Sequence, residues 1–233
     1  MHPQLVPIAD AYTAASQRAA RLVAGLDDAA FQTRPHPESW SVGECLTHLN
    51  LMDEAMLPRI DAAVLEGQSN GADPARRYRR DPVGWILSWA LEPPNRVKTR
   101  TAPQFVPTGG GSPEAVLSRF VDRKAHLRDR LEAASGLDLN RLRVRSPVDE
   151  RIAYNLYSAF CVIAAHERRH LWQAEQTLLA ISWPRATRAS SLVGRSSALA
   201  ALLMKPITTP KRPANRSRPI FHLLSESPAC RHR

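Results

Sequence analysis

Apolar positions recur at three- and four-residue intervals along most of the chain, and that period predicts helices. Over residues 5–26, Ile8, Tyr12, Ala15, Ala19, Leu22 and Leu26 share one face. After a proline-rich turn at 34–38, Ser41-Val42-Gly43-Glu44 is a capping-box sequence. Its serine hydroxyl accepts the Glu44 amide while the Glu44 carboxylate reaches back. The helix it opens extends to about residue 67, with an inward stripe of Cys45, Leu49, Met52, Met56 and Ile60. His48 falls within that stripe, and Pro58 sits inside the span as a point of kinking. Asp81-Pro82 predicts a short helix carrying Trp85 and Trp89, ended by Pro93-Pro94. Ser112-Pro113-Glu114 starts another, with Val116, Phe120, Leu127 and Leu131 inward and a stop near Gly136. The last is expected from about 151 to 180, ahead of Trp183-Pro184. No segment alternates convincingly with period two, and no internal repeat stands out. The expectation is an all-α protein, a bundle of four long helices.

Composition changes that picture only at the C-terminal end. The 233 residues suffice for one domain of ordinary size plus an extension, and 43% apolar residues with ten glycines exclude a collagen-like or wholly disordered chain. No run of about 18 apolar residues exists, so no transmembrane helix is expected. Met1-His2-Pro3-Gln4-Leu5 lacks the basic-then-apolar pattern of a secretory signal. Cysteines at 45, 161 and 230, with no CxxC, form no disulfide framework. A cytoplasmic protein is the expectation. The net charge of +10 is concentrated: from Arg185 onward ten basic residues stand against Glu226 alone, a net +9, which leaves the preceding residues near neutral. The sequence thus divides into a helical domain over 1–183 and a basic Pro/Ser/Arg-rich tail over 184–233 of disorder-prone composition. The tail has the charge to hold anionic polymers loosely; the folded domain is not expected to bind nucleic acid.

One group of side chains carries chemistry. On the last helix the inward stripe reads Ile152, Leu156, Ala159, Ile163, His166, His170 and Gln173, with the two histidines 40° apart at 100° per residue. Imidazoles at i and i+4 can aim at one cation, and bundle interiors assemble metal sites from facing helices. His48 supplies a third from another helix. Three neutral imidazoles leave a divalent ion an open coordination position, the pattern of catalytic sites. The competing reading is ordinary hydrogen-bonded packing, since HxxxH alone is a weak signal.

Two segments resemble a known family. Trp40-Ser41-Val42-Gly43-Glu44-Cys45-Leu46-Thr47-His48-Leu49 is similar to the W-S-[IV]-x-[EQ]-x-x-x-H-L segment of the DinB-like superfamily. His166-Glu167-Arg168-Arg169-His170-Leu171-Trp172-Gln173 is similar to its closing H-x-x-x-H-x-x-Q helix. The resemblance spans roughly residues 5–182. It implies a four-helix bundle of DinB/YfiT type, often a homodimer, with a divalent metal on His48, His166 and His170. Relatives with known chemistry use mycothiol or bacillithiol as co-substrate. The implied function is a metal-dependent enzyme that activates a low-molecular-weight thiol, or water, for S-transfer to an electrophile. The alternative is a non-catalytic metal-binding or stress-related interaction protein with the same bundle. Imidazole ligands suit Zn, Ni, Fe and Mn alike.

Neighbouring residues receive assignments by helical angle. Gln173 is placed either to orient a ligand imidazole by hydrogen bonding or to serve as a polar core residue. Arg169 is placed either to meet an anionic substrate group or to extend into solvent. Glu167, 100° from His166, reads as surface or flank. Cys45 reads as a small packing residue, Cys161 has no evident role, and His126 reads as solvated. The arginine run 76–80 with Trp85 and Trp89 reads as a solvated loop and aromatic core filling. Its alternative is a wall of the site opening that holds an acidic thiol.

Overall fold

Four long amphipathic helices enclose the core in the computed structural model, which describes residues 1–71, 77–94, 100–109 and 111–192, with 183–192 by backbone alone. The described residues fall within one compact unit, Met1–Leu192. Helix α1 spans Val6–Val23 and the short α2 spans Asp28–Gln32, capped by the Asp27 carboxylate. Helix α3, Val42–Asn70, starts at the expected capping box: Glu44 N donates to Ser41 Oγ at 3.0 Å and Ser41 N donates to the Glu44 carboxylate at 2.9 Å. It continues through Pro58 and ends at Gly71, whose φ of 58° is the left-handed conformation glycine adopts without strain.

Helix α4, Pro82–Leu91, is capped by Asp81 as expected, and α5, Pro113–Ala133, by Ser112. Gly84 lets α4 lie directly on the last helix; a Cβ there would stand 2.2 Å from Ser158. A 3-10 turn, Pro103–Phe105, lies between α4 and α5. The last helix, α6, spans Leu156–Leu192. It packs on α1, α3 and α4, while α5 packs on α1 and α3. This is the all-α bundle the periodicity predicts.

Three departures are physical. Residues 143–145 and 153–155 pair as a short antiparallel ribbon, β1 Arg143–Arg145 and β2 Ala153–Asn155, with Val144 opposite Tyr154. Three-residue strands are too short to print an alternation. Ile152, assigned to the last helix's stripe, therefore lies in the turn ahead of β2 and is 37% exposed. Second, α6 passes through Pro184 instead of stopping before Trp183, so the boundary at 183/184 falls inside a helix. The tail from Val193 on lies outside the described residues. Third, Trp85 and Trp89 are about half exposed and fill no core.

The apolar interior forms two clusters. One contains Tyr12, Met56, Ile60, Leu127, Leu131, Phe160 and Ile163; the other Ala15, Ala19, Leu49, Val116, Phe120, Leu171 and Ala174. Between them three helices place buried charged residues that meet one another: Asp53 on α3, Lys124 on α5 and Glu167 on α6.

Candidate metal centre

The capping box that starts α3 puts His48 two turns into that helix, and burial of Cys45, Leu46 and Leu49 fixes its inward face. On α6, Ile163, Ala164 and Leu171 are buried around His166 and His170. The three rings converge. Their centroids are 5.0 Å apart for His48 and His166, and 4.5 Å for His48 with His170 and for His166 with His170. Each residue offers a nitrogen, and these atoms all lie within 4.8 Å of one another. His48 Nε2 and His166 Nε2 are 3.2 Å apart. Two nitrogens bound at about 2.0–2.1 Å to one tetrahedral ion stand roughly 3.4 Å apart, so this spacing suits a shared cation.

Surroundings keep the imidazoles uncharged. His48 Nδ1 lies 2.8 Å from the Phe105 carbonyl, which can only accept. Nδ1 therefore carries the proton and Nε2 presents its lone pair. Burial lowers the pKa of His48 and drives that of His166 well below its ordinary value. The neighbouring imidazoles and the cations Lys124 and Arg169 lower His166 further. His170 is pushed down to about 3, mainly by burial, then by His48 and Arg169, with Gln173 acting weakly in the opposite direction. Among the described residues no hydrogen bond closes on the buried His170 Nδ1. Three neutral imidazoles, one with an orphaned buried nitrogen, make a donor set that fits a divalent ion.

The three histidines that the sequence singles out do converge, but the residues around them were not foreseen. Trp40 packs against two of the rings, stacked with His170 at 5.6 Å and tilted on His48 at 4.9 Å. Its carbonyl accepts from Thr177 Oγ1 at 2.9 Å, which ties it to α6. Its place beside the capping serine was the available signal. Phe105 acts through a backbone carbonyl on a loop, for which a sequence holds no signal.

Glu167 corrects the assignment to the surface. It is 1% exposed and, together with Asp53, accepts from the Lys124 ammonium. Burial raises the pKa of both carboxyls against the pull of Lys124, that of Glu167 to about 7. The Lys124 ammonium also lies 4.5 Å from the Phe120 ring centroid. Arg169 is buried rather than extended into solvent, and its Nη1 donates to the Ala90 carbonyl at 3.2 Å. Gln173 is half-buried beside His170. Cys45 is fully buried, as a packing residue should be, and burial raises its pKa. His126 is exposed.

A helical bundle whose facing helices bring three imidazoles together is compatible with a metal site. The family model of the DinB superfamily matches residues 11–174, from α1 past the last of the three histidines, and the chain belongs to that superfamily. No curated protein and no solved structure matches it.

Proposed function

We propose that the protein is a divalent-metal-dependent enzyme that activates a low-molecular-weight thiol, or water, for transfer to an electrophilic carbon. The observation that carries this reading is the convergence of three uncharged imidazoles on one point, His48 and His170 buried and His166 half-buried. A divalent ion there lowers the pKa of a thiol or water that it binds, so the nucleophile is available at neutral pH. The chain's own part is to hold three lone pairs in place. Phe105 fixes the His48 tautomer, Trp40 limits the tilt of two rings, and Gln173 is assigned to steady His170. Arg169 contributes a positive charge beside His170 and is assigned to an anionic group of the substrate.

Mycothiol or bacillithiol is the proposed thiol, and Zn, Ni, Fe or Mn the proposed ion. A homodimer and a cytoplasmic location complete the reading. No helix among the described residues is long and apolar enough to cross a membrane.

Elemental analysis of untagged protein tests the site: wild type carries near-stoichiometric metal and His170→Ala loses most of it. The metal-loaded protein is then mixed with either thiol and a monochlorobimane-type electrophile. A rate above that of metal-free protein supports catalysis. Bound metal with no such rate supports the binding protein instead.

A further inference from the structure

The segment that leads into α4 is held in place more firmly than an exposed loop requires. Residues 77–80 carry Arg77, Arg79 and Arg80 around an inward Tyr78 that is 1% exposed. Side chains from three other parts of the chain fix their backbone. Gln4 Nε2 donates to Tyr78 O at 3.0 Å, and Tyr78 N donates to Gln4 Oε1 at 2.8 Å. Asn140 Nδ2 donates to Arg77 O at 3.0 Å and its Oδ1 accepts from Arg79 N at 2.8 Å. Asn155 Nδ2 donates to Arg79 O at 2.8 Å.

With Tyr78 turned in, the three arginines are exposed, and none makes an ion pair among the described residues. The nearby acids are committed elsewhere. Asp81 accepts from Gly84 N, Arg143 and Asn155 N, and Asp138 faces Arg141. The result is a row of positive charge on a fixed backbone, without a carboxylate partner among the described residues.

That row borders an open cleft of about 510 Å³, completed by Gln4, Trp85 and Tyr157. The volume lies within the range of small-molecule sites, roughly 300–1,000 Å³. Trp85 is 53% exposed and has no ring partner among the described residues. Guanidinium forks match the oxygens of phosphate, and a free indole face stacks on planar rings.

We propose that this cleft binds a small phosphorylated molecule with a planar ring, of the nucleotide class, with phosphates on Arg77, Arg79 and Arg80 and the ring on Trp85. From Tyr157 to His166 the rise along α6 is about 14 Å, so the cleft is distinct from the three histidines and does not rest on their chemistry.

Calorimetry on the full chain at low salt tests it with three probes: ADP, pyrophosphate and adenosine. ADP binds most tightly. R79A/R80A weakens it about tenfold or more while leaving the melting temperature unchanged, as loss of charge-assisted hydrogen bonds predicts. W85A brings ADP down toward the affinity of pyrophosphate. The proposal is overturned if ADP gives no heat at millimolar concentration, or if R79A/R80A binds it as well as wild type, which would move the phosphates to the basic tail. It is also overturned if ADP and pyrophosphate bind wild type equally, since the ring would then play no part.

Discussion

An imidazole taken out of water holds its proton less well, and one placed beside other imidazoles and cations holds it less still. His170 shows the effect, pushed down to about 3. Between that value and the ordinary 6.5, the unfolded chain binds a proton that the folded one refuses. The contribution of His170 to stability is therefore present above about pH 6.5 and is lost as pH falls toward 3. Metal retention should follow the same order. Dialysis against graded buffers should leave most of the metal bound at pH 5.5, where solvent-exposed histidine sites have largely let go. Release at pH 6–6.5 would mean that the rings are wetter than the structure has them. His48, His166 and His170 were legible at this scale because all three lie on apolar stripes at helical spacing. Glu167 and Arg169 were not, because angle from one stripe identifies burial only for a helix with one buried face. Helix α6 packs on α1, α3 and α4, and so conceals most of its circumference.

Among the elements, three helices meet in one buried charged layer. Asp53, Lys124 and Glu167 lie where α3, α5 and α6 each interrupt the apolar interior, Asp53 and Glu167 within two turns of His48 and His166 and Lys124 close enough to lower the pKa of His166. Lys124→Met leaves two buried carboxyls without their cation, a loss of about 3–5 kcal/mol that chemical denaturation would register. If K124M is as stable as wild type, the layer is wetter than it is drawn here. Glu167 adds a pH dependence of opposite sign to that of His170. Its folded pKa of about 7 lies above the ordinary 4.5, so its contribution is full below about pH 4.5 and is lost as pH rises through 7. E167Q should consequently compare better with wild type at pH 8 than at pH 5 in matched melts. Starts of elements were readable where a side chain does the capping, as at Ser41, Asp81 and Ser112. The β1–β2 ribbon was not, since its register depends on partners ten residues away rather than on local pattern.

For the molecule as a whole, charge and fold are separable quantities. Eight Lys or Arg and one Glu lie beyond Leu192, so truncation there takes the net charge from +10 to about +3. The shortened chain should keep its melting temperature while losing most of its retention on a heparin column, the remainder resting on Arg77, Arg79 and Arg80. Retention undiminished by truncation would place the main anion affinity on the folded unit and not on the tail.

The Phe105 carbonyl that fixes His48 belongs to neither of the helices that carry the three histidines. A single protease cut in the connection between α4 and α5 would therefore leave the helices assembled yet free the imidazole to flip between its two tautomers. Nicked protein should keep its circular dichroism and bind the ion more loosely, a loss of grip without a loss of shape.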